Sequence, residues 1–66
     1  MFYVYKNSRE NPLLYVRVYI TNNELGAKTY TDFGNSRKDD ATYVVVESNV
    51  QPDKTIPVSE FIEKYG

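Results

Sequence analysis

Apolar and polar residues alternate with a period of two through most of this chain, which is the signature of half-buried β-strands. Phe2 to Lys6 reads as a short strand, and Asn7 to Pro12 as a turn-forming cluster closed by a proline that does not suit a central strand. Leu13 to Thr21 gives the strongest strand signal, with Leu14, Val16, Val18 and Ile20 on one side and Leu13, Tyr15, Arg17, Tyr19 and Thr21 on the other. Asn22 to Ala27 reads as a connection and Lys28 to Phe33 as a weaker, threonine-rich strand. Gly34 to Asp40 then reads as a polar loop and Thr42 to Ser48 as a β-branched strand with Val44 and Val46 facing inward.

After Asn49 to Lys54 the period changes. Val58, Phe61, Ile62 and Tyr65 fall at i, i+3, i+4 and i+7, one stripe of a helix of about two turns, with Ser59 as N-cap candidate, Glu60 in the first turn and Lys64 in the last. A helix that short is unstable alone and must pack on the sheet. These elements predict one small α+β domain over residues 1–66. Its fold is an antiparallel four-stranded meander of order 1-2-3-4, with the C-terminal helix on one face. The competing architecture is a small SH3-like or OB-like barrel in which Thr55 to Val58 adds a fifth strand.

Strand alternation also sorts the aromatic residues. Tyr3, Tyr5, Tyr15, Tyr19, Tyr30 and Tyr43 fall on one predicted face, and Phe2, Val4, Leu14, Val16, Val18, Ile20, Phe33, Val44 and Val46 on the other. The aliphatic face is the expected core. The tyrosine face, centred on Tyr15, Arg17 and Tyr19, is the expected partner-binding surface, because Tyr and Arg are enriched among residues that dominate protein interfaces. Lys6, Arg9, Arg37 and Lys38 are expected to gather at one end as a charged rim, interspersed with Glu10, Asp39 and Asp40.

Composition narrows the chemistry. The chain has no cysteine and no histidine, which removes disulfides, thiolate nucleophiles and the commonest general base and metal ligand. Asp39-Asp40 is the only adjacent acidic pair, and no calcium loop or tuned pair of carboxylates accompanies it. No metal, cofactor or catalytic residue is assigned, and the expected protein is not an enzyme. Eight basic and nine acidic residues give a net charge of -1, too balanced for binding driven by phosphate neutralisation. No signal peptide or membrane-length apolar run is visible, so the expected location is the cytoplasm, a host's cytoplasm for a viral protein.

Two short strings resemble known motifs. Asp32-Phe33-Gly34 matches the magnesium-binding tripeptide of protein kinases, without their Gly-rich loop, catalytic loop or length. Tyr3-Val4-Tyr5 followed by Tyr15-Val16-Arg17 resembles the spaced tyrosine pairs of GIY-YIG nucleases over the first 17 residues. That family implies motif glycines, an arginine on a helix after the second strand, and a metal-binding glutamate. The glycines are missing and no helix is expected there, so no residue takes a role from it.

The expected function is non-catalytic binding of another protein through the tyrosine face or an exposed strand edge. The profile is similar in composition to small phage or mobile-element proteins that inhibit or redirect a host factor. The alternatives are a single-stranded nucleic-acid-binding module that stacks bases on the same tyrosines, and a structural homodimer closed through them.

Overall fold

The computed structural model describes residues 1–37 and 40–65. Strands β1 (Phe2–Ser8) and β2 (Asn11–Thr21) form a hairpin; helix α1 (Glu24–Ser36), strands β3 (Thr42–Glu47) and β4 (Thr55–Pro57), and helix α2 (Val58–Tyr65) follow. The four strands make one open antiparallel sheet, so the fold is α+β and not a barrel. The strand order is β3-β1-β2-β4, which replaces the expected 1-2-3-4. The reason is α1: the segment Lys28 to Phe33, expected as the third strand, is helical. Both β2 and β3 pair antiparallel with β1 and therefore run the same way, and strands that run the same way need a long crossover, which α1 supplies.

The hairpin is tighter than the turn expected over residues 7–12. Ser8 pairs with Asn11 around Arg9 and Glu10, and the Asn7 side-chain amide donates to the carbonyls of Pro12 at 3.0 Å and Leu14 at 2.9 Å. Pro12 falls in this irregular stretch of register, where a missing N–H is tolerated. A second irregularity matters more. Val4 pairs with Tyr19 but Tyr5 pairs with Arg17, which leaves Val18 as the extra residue of a bulge. A one-residue slip moves side chains to the opposite face. Tyr15 and Arg17 therefore share a face with Tyr5, and Tyr19 shares the other with Val4.

One core cluster, on the face that α2 covers, holds Tyr3, Tyr5, Val46, Ile56 and Phe61, with Tyr15 and Val44 against it. The opposite cluster holds Val4, Ala27 and Tyr43, with Phe2, Ala41 and Val45 against it. The expected segregation of tyrosines from aliphatics is thus overturned, since both faces are mixed. The register of β3 on β1 contributes as much as the bulge, because it sets Val44 opposite Tyr5, Val46 opposite Tyr3, and Tyr43 opposite Lys6.

The Asn23 side chain caps α1, accepting from the Gly26 N–H at 3.2 Å. The helix buries only Ala27, Thr31 and Gly34. Gly34 is needed for its small size: a Cβ there would lie 2.6 Å from the Tyr43 ring. Helix α2 begins at Val58, so Ser59 sits inside its first turn and not at the cap. Phe61 is its buried residue, stacked on Tyr15 with ring centroids 4.1 Å apart and tilted against Tyr5 at 5.5 Å. Ile62, expected to share that role, is 60% exposed.

Because β3 and β4 occupy opposite edges, residues 48–54 cross the α2 side of the sheet. That crossing is held at several points. The Ser48 N–H donates to Met1 carbonyl at 3.1 Å, Arg17 Nη1 to Pro52 carbonyl at 2.8 Å, Tyr5 hydroxyl to Asp53 carbonyl at 2.6 Å, and Arg17 N–H to Lys54 carbonyl at 2.7 Å.

Candidate protein-binding surface

The seven residues expected to form one binding face separate into structural and surface groups. Tyr3, Tyr5 and Tyr43 are buried, at 4%, 0% and 7% exposure. Tyr15 is half-buried beneath Phe61, and Arg17 is spent on the crossover. Burial raises the Tyr5 hydroxyl above its ordinary value, an effect that the nearby Arg17 guanidinium partly opposes. Only Tyr19 and Tyr30 of the seven lie at the surface, and they meet each other: their rings stack with centroids 4.7 Å apart and planes 7° from parallel. Tyr30 also meets Tyr43 edge-on at 6.2 Å, which anchors the exposed pair to the core.

Around this pair, α1 departs from the usual arrangement of a surface helix. Such a helix normally turns its large apolar side chains inward. Here the inward residues are small, while Leu25 is 72% exposed and Phe33 67% exposed. Leu25, Thr29 and Phe33 are spaced four residues apart on the outer flank. Together with Tyr19 and Tyr30 they line an open groove of about 500 Å³ between α1 and β2. Asn23 supplies a polar group at one end, and its side chain is already engaged as the helix cap. The groove offers apolar contact area and no convergent set of ionisable groups.

Leu25 and Phe33 were not legible as site residues, since Leu25 fell in an expected connection and Phe33 on the expected core face. Val18 and Ile20, also expected in the core, are 38% and 40% exposed. One of the two expected edges differs: β1 lies inside the sheet, whereas Thr42–Glu47 is an edge as the last strand of the expected order was, and β4 forms the other edge.

The rim residues do not form one positive patch. Arg9 Nη1 donates to Asp40 Oδ2 at 3.1 Å, which brings the hairpin turn beside the segment that enters β3. Lys6 lies 5.8 Å from the Tyr43 ring centroid and Arg37 5.9 Å from that of Phe33, both within cation–π range. Lys38 and Asp39 lie outside the described residues. Lys6, Arg9 and Glu10 line a cleft at the hairpin turn that carries both signs of charge.

Among the described residues there is no group of three or more acidic side chains placed to hold a metal ion. A helix does follow β2, contrary to expectation, but α1 contains no arginine, and the Tyr3 and Tyr5 that carry the nuclease resemblance are buried. Among the described residues no helix is long and apolar enough to cross a membrane. Set against known protein families, curated proteins and solved structures, the chain matches none.

Proposed function

We propose that this chain is a non-catalytic module that binds another protein through the apolar flank of α1 and the adjoining end of β2. The observation that carries this reading is the inversion of α1, which packs Ala27, Thr31 and Gly34 on the sheet and leaves Leu25 and Phe33 in water. With Tyr19 and Tyr30 these side chains leave on the order of 400 Å² of apolar surface exposed, a patch size that in monomeric proteins often marks an interaction site. Tyr19 and Tyr30 suit the centre of such a site, being large and already fixed by stacking. A protein of this kind acts by covering part of its partner, which fits an inhibitor or adaptor.

The nucleic-acid alternative draws less support. Three of the six tyrosines expected to stack bases are buried, and the Arg17 guanidinium, the cation among them, is bonded to the Pro52 carbonyl.

The test is affinity capture from extracts of the source cell or its host, with the parent chain and a Leu25→Ser/Phe33→Ser variant immobilised in parallel. Both positions are exposed, so circular dichroism of the variant is expected to match the parent. The parent is expected to retain a partner at both about 0.15 M and about 0.5 M salt, because apolar contacts are little screened. The variant is expected to lose it. Equal retention by the folded variant overturns the reading. Capture of single-stranded oligonucleotide that collapses with salt favours the alternative.

A further inference from the structure

The geometry points to Tyr19 and Tyr30 as a site of oxidative coupling, at which a one-electron oxidant joins the two rings and ties α1 to β2 covalently. Among the described residues they are the one pair of tyrosines that stack with both rings at the surface, at 39% and 38% exposure. The other tyrosines lack one condition or the other. Tyr3, Tyr5 and Tyr43 are buried, and Tyr15 and Tyr65 have Phe61 as their ring neighbour, which carries no phenol to oxidise. Centroids 4.7 Å apart with planes 7° from parallel describe an offset stack, in which carbons of the two rings lie at about the 3.5–4.0 Å of van der Waals contact.

The chemistry follows from the two phenols. Each gives one electron to the oxidant and its hydroxyl proton to water, which the exposure of both side chains allows. The two phenoxyl radicals then join through a new C–C bond between carbons ortho to the oxygens, and the hydrogens on those carbons move to the oxygens to restore both phenols. The net loss is two electrons and two protons. Rings already held in contact make the joining step intramolecular, which favours it over coupling between chains. Tyr43, the edge-on neighbour of Tyr30, draws little of the oxidation away, because the Lys6 ammonium 5.8 Å from its ring centroid opposes a positive charge there. The side of the pair that faces the open groove leaves room for the rings to turn from stacked to joined edge to edge. The link closes residues 20–29 into a loop and fixes the helix on the strand, whatever partner the groove takes.

The test oxidises the full chain with a photoexcited ruthenium tris-bipyridyl complex, persulfate being the terminal acceptor of the two electrons, at about 5 μM so that coupling within a chain outruns coupling between chains. The expected product has the size of one chain and two hydrogens fewer, shows dityrosine fluorescence, and on digestion with trypsin yields residues 18–28 joined to residues 29–37. Tyr19→Phe and Tyr30→Phe each keep a ring for the stack but lack the second phenol. Both are expected to match the parent in circular dichroism and to lower the yield of coupled single chains about tenfold or more, as is unfolding of the parent in urea, which releases the pair. A product joined through other tyrosines, or formed mainly between chains, overturns the proposal. So does a yield that the two folded variants or urea leave unchanged.

Discussion

The Asn35 side chain pairs with the backbone of Tyr43 as a neighbouring strand would: its Nδ2 donates to the Tyr43 carbonyl at 3.0 Å, and the Tyr43 N–H donates to its Oδ1 at 2.8 Å. Tyr43 lies on β3, an edge of the sheet, and an edge with unpaired backbone groups is a template for strand addition. One amide from α1 therefore both fastens the helix to the sheet and occupies part of that edge.

Asn35→Ala is expected to lower stability by about 1–3 kcal/mol, the cost of leaving partly buried backbone groups without partners. It should also increase self-association through β3. Urea unfolding reads the first effect and light scattering at matched concentration the second. Asn35→Leu, which restores bulk without the amide, is expected to behave like Asn35→Ala.

Gly26 and Gly34 are both helical, and the same substitution is expected to have opposite signs at them. At Gly26 a Cβ makes ordinary contacts, the nearest at 3.7 Å to Asn23, so Gly26→Ala is expected to stabilise by about 0.5–1 kcal/mol through helix propensity. At Gly34 the Cβ meets the Tyr43 ring at 2.6 Å, and Gly34→Ala is expected to cost about 1–3 kcal/mol net despite the better propensity. Thermal melts of the pair decide it.

Phe61 holds α2 through rings on three sides, with Tyr65 adding a contact at 5.0 Å to those of Tyr5 and Tyr15. Phe61→Ala is expected to cost about 3–5 kcal/mol, most of what a domain this small has available. Ile62→Ala, one residue on but exposed, is expected to stay within about 0.5 kcal/mol of the parent. Denaturant midpoints of the two variants measure the contrast.

The Tyr5 hydroxyl carries a pH dependence. Its folded-state value lies above the ordinary 10.0, chiefly through burial, so the folded state favours the neutral phenol. Its contribution is fully present below the unfolded value and is lost as pH rises through the folded one. Tyr5→Phe is expected to cost about 1 kcal/mol near neutrality by freeing the Asp53 carbonyl, and to flatten the fall in stability above about pH 10. Urea unfolding of parent and variant between neutral and alkaline pH isolates this residue.

The strands β1, β2 and β3 and the stripe of α2 were legible because each writes its period in large side chains, such as Leu14 to Ile20 and Val58 to Tyr65. Helix α1 was not. Its buried positions are Ala27, Thr31 and Gly34, too small to mark a stripe, and Lys28-Thr29-Tyr30-Thr31-Asp32-Phe33 alternates like a strand with β-branched and aromatic residues of modest helix propensity. The cap at Asn23 was its one local signal. The bulge at Val18 and the register of β3 arise from pairing between distant segments, so the alternation within β2 gave no sign that Tyr15 and Tyr19 part company. For the surface, strand alternation marks Tyr19 and Tyr30, while the exposure of Leu25 and Phe33 follows from the helix that the pattern conceals.

The placement of β1 at the centre of the sheet has a consequence for synthesis. Of the four strands, the interior strand β1 is made first, yet one of its two neighbours is completed late, since Phe2 pairs with Glu47. At about 5–20 residues per second, the β1–β2 hairpin leaves the ribosome seconds before β3 is available, with the row of Tyr3 and Tyr5 backbone groups meant for β3 still open. Loop closure over that separation is expected to set the pace of folding more than helix formation does, and during the interval the open edge of β1 is exposed to pairing with the wrong strand.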